Sequence, residues 1–195
     1  MALDHGHGTD RDPIEYHVSK VLEHLGYAGR ELPDAVRDGV SGTPKRVSKF
    51  MRWWCQPEAF DFTTFASEGM DEMVVQTGIP FFSLCEHHML PFFGVASVSY
   101  IPNGRIVGLS KLARCVQFYA RGLQNQERIT RSVAQRLSAE LNTSSVGVVL
   151  RARHMCMEMR GVRSHDTETV TSCLMGSFRE DPRCRSEFLD LARTK

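Results

Sequence analysis

Cys85-Glu86-His87-His88 places a thiol, a carboxylate and two imidazoles in four consecutive residues, between Ser83-Leu84 and Met89-Leu90-Pro91. Such a cluster is costly to bury unless something organises it. Cys85 and His88 are three apart, close enough to grip one ion from a turn or a helix start. Far downstream stands His154-Met155-Cys156. Read as part of a strand, residues two apart share a face, so His154 and Cys156 are expected to project together. One thiolate and one imidazole from the first segment, with one thiolate from the second, make a three-ligand zinc set. Three ligands leave a position for water, which is the pattern of catalytic rather than structural zinc.

Each of these residues also has an ordinary reading. Taken singly, Cys156 is a small core residue and His154 a hydrogen-bonded, half-buried histidine. Their occurrence together, beside two further histidines, favours a metal. A closed structural site needs a fourth ligand. Cys115 and Cys173 are available but sit in apolar helix or strand patterns that read as core.

Basic residues gather at other segments. Arg46 lies just inside a helix opened by Thr43-Pro44, Lys111 and Arg114 lie in the first turns of one opened by Ser110, and Arg160 follows Cys156 by four residues. Helix N-termini with added cations suit phosphate, although surface Lys and Arg usually only solvate a helix. Gly108-Leu109-Ser110-Lys111 is not a P-loop. Gln126-Glu127-Arg128 opens the next helix. Its acid reads as ordinary first-turn chemistry or as a carboxylate that accepts a ligand's N–H groups.

The elements that must position these side chains follow from periodicity. Asp12-Pro13-Ile14-Glu15 is a helix start, and Ile14, Val18, Val21, Leu22 and Leu25 continue it to Gly26. Thr43-Pro44 opens a second helix with Val47, Phe50, Met51 and Trp54 on one face, and residues 56–70 read as a connecting loop. Residues 73–76 and 94–101 are extended, with a hairpin turn at Pro102-Asn103-Gly104. Helices are expected from Ser110 and from about Asn125 to Leu141, strands over 146–156 and 168–178, and a last helix over 181–192. The order strand, strand, helix, helix, strand, strand predicts an α+β domain, its antiparallel four-stranded sheet carrying two helices on one face. The chain therefore divides into a flexible tail at 1–11, an N-terminal helical region at 12–70 and a catalytic domain at 71–195.

Bulk properties narrow the class. The 195 residues, 42% hydrophobic and 24% charged, suit a soluble globular protein with a real core. A net charge of +1 gives no global field for nucleic acid or acidic membranes. No stretch approaches the ~20 apolar residues of a membrane span. The N-terminus lacks the basic and apolar regions of a signal peptide, so a cytoplasmic location with six reduced cysteines is expected.

Four blocks carry a resemblance to a known family: residues 83–88, residues 106–114, Gln126-Glu127-Arg128-Ile129-Thr130, and residues 154–162. In order and spacing they resemble the signature blocks of GTP cyclohydrolase type I, and the similarity extends from about residue 12 to the C-terminus. The resemblance implies the tunnelling fold and a homodecamer of two stacked pentamers with active sites at subunit interfaces. It implies Zn2+ on Cys85, His88 and Cys156, and GTP as substrate. The reaction implied is hydrolytic opening of the guanine imidazole ring, with release of formate and formation of 7,8-dihydroneopterin triphosphate, a first step toward pterins and folates. It gives His154 the role of proton donor to the purine, and His87 with Ser110 a role in the sugar rearrangement. Glu127, aided by Gln126, would hold the guanine edge. Arg46, Lys111, Arg114 and Arg160 would surround the triphosphate.

Three other readings compete. A paralogue could process another purine or pterin in the same pocket, but retention of the whole triphosphate shell disfavours it. A zinc-stabilised nucleic-acid module predicts a basic surface and a closed four-ligand site, against the near-neutral charge and the spare histidines. A purely structural subunit leaves His87 and His154 without a reason.

Overall fold

The computed structural model describes residues 12–27 and 32–193. The tail expected at 1–11 lies outside them. Contacts divide the chain between Gln56 and Pro57 into two units.

The first unit holds three helices: α1 (Pro13–His24), α2 (Asp34–Ser41) and α3 (Thr43–Cys55). Asp12 caps α1 as its sequence position suggests, with Oδ1 accepting from the N–H groups of Ile14 and Glu15. The same carboxylate accepts from Ser48 Oγ at 2.8 Å and Arg52 Nε at 2.7 Å, tying α1 to α3. Helix α2 has no counterpart in the sequence reading. It is one short, largely exposed helix without a side-chain cap, so its apolar signal is weak.

The second unit is a mixed α and β structure. Its main sheet has the order β5-β2-β3-β6-β7, built from β2 (Val74–Cys85), β3 (Pro91–Tyr100), β5 (Leu123–Gln124), β6 (Val146–His154) and β7 (Thr169–Leu174). The four longer strands pair antiparallel, and the two-residue β5 adds to β2 in parallel. The stretch read as a loop at 56–70 contributes β1 (Thr64–Ala66), which pairs with β4 (Arg105–Val107) as a small second sheet. The turn at Pro102-Asn103-Gly104 therefore leads away from the main sheet rather than closing a hairpin within it.

Helices α4 (Leu109–Ala120) and α5 (Gln126–Leu141) cover one face of the main sheet. Their apolar stripes, Leu112, Cys115 and Val116 on α4 and Ile129, Val133 and Leu137 on α5, are fully buried against Phe81, Ala96, Val98, Val148 and Leu150. Val149 points the other way, as alternation requires. It packs with Phe178 of α7 (Ser177–Glu180) and Phe188 of α8 (Pro182–Leu191). Helices thus lie on both faces; α8 matches the last helix expected over 181–192, whereas the four-residue α7 is too short to show a period.

Strand β2 is three times longer than its sequence signal of four residues at 73–76. Gly78, at φ +68°, and Pro80 read as breakers, but the strand absorbs them with a bulge between Gln76 and Ile79. That extension carries the strand to Cys85. On β3, Gly94 allows a close approach to β6, because a Cβ there would lie 1.8 Å from the Arg151 carbonyl oxygen.

Candidate metal centre and the groups around it

The sheet register brings the two chemical segments to one edge. Ser83 pairs with Phe92, and Phe92 with His154, across three adjacent strands. The chain leaving β2 at Cys85 and the chain leaving β6 at His154 therefore emerge side by side. Residues 86–88 form a turn, closed by the Met89 N–H on the Cys85 carbonyl at 2.8 Å and the Cys85 N–H on the Leu90 carbonyl at 2.8 Å. Met89 adopts a left-handed conformation to complete it.

Cys156 reaches the site by a different local geometry from the one expected. Strand β6 stops at His154, and Cys156 sits in the short helix α6 (Met155–Glu158). The shared-face argument for His154 and Cys156 therefore fails. The turn of helix, rather than strand alternation, brings the thiol to Cys85.

The donor atoms of Cys85, His88 and Cys156 all lie within 4.8 Å of one another. Cys85 Sγ is 3.7 Å from His88 Nδ1 and 3.8 Å from His87 Nδ1. Tetrahedral zinc with ordinary Zn–S and Zn–N bonds separates its ligands by roughly 3.6–3.8 Å, so two thiols and an imidazole in this arrangement fit such an ion. Cys85 is buried, Cys156 half-buried and His88 exposed, which leaves the site open to solvent on the histidine side. Burial, and then the neighbouring Cys85, push the Cys156 thiol up. A cation between the two sulfurs reverses that preference.

His154 is held on two sides. Its ring stacks on Phe92 with centroids 4.6 Å apart and planes 4° from parallel. Its Nε2 lies 2.8 Å from Gln126 Oε1. Burial lowers the imidazole pKa, and the charge of Glu127 acts in the opposite direction.

Gln126, expected to help Glu127 at the guanine edge, sets its amide oxygen against His154. The glutamine is 1% exposed, and its Nε2 faces the carbonyls of Leu150 and Thr169 and the hydroxyl of Thr171 at 3.0–3.1 Å. Glu127, in the first turn of α5, is exposed, and so is Arg160, which lies near enough to act on the Cys156 thiol. Ser110, Lys111 and Arg114 occupy the first turns of α4, with Ser110 and Arg114 exposed. Arg46 belongs to the first unit, where its guanidinium donates to the Gly39 carbonyl and the Thr43 hydroxyl.

Two clamps and one stacking contact had no distinct sequence signal. Glu86 accepts from Asn125 Nδ2 at 2.8 Å and pairs with Arg128 at 2.7 Å. Arg153 grips the buried Glu158 with two bonds, 2.8 and 2.5 Å, bracketing His154 and Cys156. Phe92, the stacking partner, looks in sequence like any residue of an apolar run.

A mixed α and β unit presents a cysteine–histidine–cysteine cluster, a donor set that fits a metal ion, beside a half-buried, oriented histidine. The chain belongs to the GTP cyclohydrolase I family, whose model matches residues 14–193. It is 44% identical over 186 residues to a GTP cyclohydrolase 1 of Pseudomonas aeruginosa, covering 92% of this chain and 99% of that one. It is 47% identical to the GTP cyclohydrolase 1 of Janthinobacterium sp. strain Marseille, over 90% and 89% of the two chains. The corresponding protein of Synechococcus sp. strain JA-3-3Ab is 50% identical over 82% of this chain and 72% of its own. A crystal structure of the archaeosine synthase QueF-Like in the apo form superposes with a TM-score of 0.45 and 17% identity, over 53% of this chain and 93% of that one. Among the described residues no helix is long and apolar enough to cross a membrane.

Proposed function

We propose that this enzyme opens the guanine imidazole ring of GTP by hydrolysis, releasing formate and yielding 7,8-dihydroneopterin triphosphate, with zinc as its metal. The observation that carries the reading is the convergence of Cys85, His88 and Cys156 within 4.8 Å, in a chain of this family. Zinc held by these three residues would supply Lewis-acid activation of a water at neutral pH.

The protein's own groups then divide the work. His154 commits its Nε2–H to Gln126, so a proton for the purine is carried on Nδ1 of the imidazolium form, and the transfer leaves the neutral Nε2–H tautomer. Phe92 keeps the ring in plane while it does so. Glu127 accepts from the N–H groups of the guanine edge, and Gln126 assists by fixing His154 rather than by touching the base. His87 and Ser110 serve the later sugar rearrangement. Lys111, Arg114, Arg160 and Arg46 serve the triphosphate, whose anionic oxygens accept from ammonium and guanidinium donors.

The assembly in this reading is a homodecamer of two pentamers with tunnelling-fold subunits. It acts in the cytoplasm, on GTP rather than on nucleic acid or membrane. Zinc-loaded protein incubated with GTP should release formate and, after oxidation, give a fluorescent pterin. Consumption of a different nucleotide with neither product from GTP would transfer the site to another purine reaction. Cys156→Ala should lose both metal and turnover, whereas His154→Ala should keep its metal and lose ring opening.

A further inference from the structure

Glu86 is the one member of the Cys85–His88 run that neither holds the metal nor faces the nucleotide in the reading above. Its side chain is 26% exposed and does not simply face water. Oε1 accepts from Asn125 Nδ2 at 2.8 Å, Oε2 meets the Arg128 guanidinium at 2.7 Å, and its backbone N–H donates to the Gln124 carbonyl at 3.0 Å. Asn125 is itself bifunctional: its Oδ1 caps α5 by accepting from the Arg128 N–H at 2.8 Å, which turns its amide protons toward Glu86. The next residue is Gln126, whose amide oxygen holds His154.

We propose that Glu86 is a positioning residue: through Asn125 and Arg128 its carboxylate fastens the Cys85–His88 turn to the first turn of α5, so that the metal donors and the Gln126–His154 pair keep one fixed spacing. The inference rests on the proposed reaction, because it gives Glu86 a task within that site. The turn needs such a tie. His87, His88 and Met89 are exposed, and apart from the Glu86 N–H bond to the Gln124 carbonyl the turn's backbone bonds return to Cys85 or Leu90. Two tight charge-assisted or amide bonds to the first turn of α5 add side-chain restraint to that single backbone tie. The spacing matters because a misplacement of about 1 Å between a catalytic group and the reacting centre can cost on the order of a hundredfold in rate. His87 Nε2, 3.8 Å from Glu86 Oε1, is beyond hydrogen-bond reach, so the tie runs to α5 and not to the neighbouring histidine.

The test compares Glu86→Ala and Asn125→Ser with the wild type as full-length, zinc-loaded proteins. Serine keeps the helix cap but is too short to reach Glu86, so that variant removes the Asn125 arm of the link, leaving only the Arg128 pair, without touching a metal donor. Two quantities are read: zinc affinity by competition with a chromogenic chelator, and kcat and KM for formate release from GTP. Both variants should lose roughly tenfold or more in zinc affinity and in kcat, the range seen when groups supporting metal ligands are removed, with KM for GTP little changed. Wild-type zinc affinity in Asn125→Ser overturns the proposal, as does a rise in KM at constant kcat, which would make Glu86 a nucleotide contact. Should Glu86→Ala fail to fold, Asn125→Ser decides alone. Absence of formate from the wild type would sink the proposed reaction, and zinc affinity would then decide Glu86 by itself. Formate from the wild type with both variants equal to it would sink only the role of Glu86.

Discussion

His154 Nε2 lies 2.8 Å from Gln126 Oε1, and this bond selects the working nitrogen of the imidazole. The glutamine cannot turn its amide round without setting its NH2 group against the histidine and its oxygen against three acceptors. Oε1 therefore accepts, Nε2 donates, and Nδ1 is left for the substrate.

Replacing Gln126 by Leu keeps the volume and removes that arrangement. Unsatisfied groups behind His154 should cost about 1–3 kcal/mol of stability, read from urea denaturation. Ring opening should fall at least about tenfold, while the metal stays bound, since no metal donor touches Gln126. Retained turnover in Gln126→Leu would refute the assignment of Nδ1 as the working atom.

Arg153 and Glu158 make the second clamp. The bidentate pair spans the end of β6 and the whole of α6, with His154 and Cys156 between its members. Arg153→Leu leaves the Glu158 carboxylate buried without its partner, an arrangement that destabilises far more than deleting an exposed pair. The α6 turn should loosen, with zinc affinity falling on the order of tenfold in chelator competition. Arg153→Leu with Glu158→Leu together should recover part of the lost stability, because no charge is then left unpaired.

These clamps show where sequence reading stops. Local signals were strong for α5: Asn125 caps it, and Ile129, Val133 and Leu137 at steps of four are all fully buried. The asparagine's second bond was invisible, since its acceptor Glu86 is 39 residues away and the contact exists only after folding. Gly78 and Pro80 hid most of β2, because their local preference opposes a strand and only the bulge reconciles them. The donor set Cys85, His88 and Cys156 was legible by residue type, yet the path to Cys156 was not. A four-residue helix carries too few residues to show a period, and the apolar run before it reads on as strand.

Gly94 gives a packing prediction close to the site. An alanine Cβ would meet the Arg151 carbonyl oxygen at 1.8 Å and the Ala152 Cα at 2.7 Å, both backbone atoms that cannot step aside. Gly94→Ala should therefore push β3 and β6 apart and destabilise by on the order of 3 kcal/mol or more, an overpacking cost at the high end of the usual range. Since the same two strands align Phe92 with His154, the variant should lose turnover along with its thermal midpoint. A stable, active Gly94→Ala enzyme would show that this approach of the two strands is not a constraint.

The last prediction concerns pH and the first unit. Ser48 donates to the Asp12 carboxylate, the Glu15 N–H adds to it and Arg52 pairs with it, so the folded protein holds this carboxyl below its usual range. A depressed folded pKa contributes stability that is present above the unfolded pKa and disappears as pH falls through the folded one. Asp12→Asn keeps a helix cap but has no charge for Arg52 and nothing to titrate. At neutral pH the asparagine variant should therefore unfold at a lower temperature than the wild type. On acidification from about pH 5 to about pH 2 the gap should close, because the wild-type carboxyl takes up its proton and becomes as neutral as the amide. Melting curves followed by far-ultraviolet circular dichroism across that range supply the comparison. A gap that stays constant with pH would mean that the charge on Asp12 contributes nothing, and that the cap alone ties the helix.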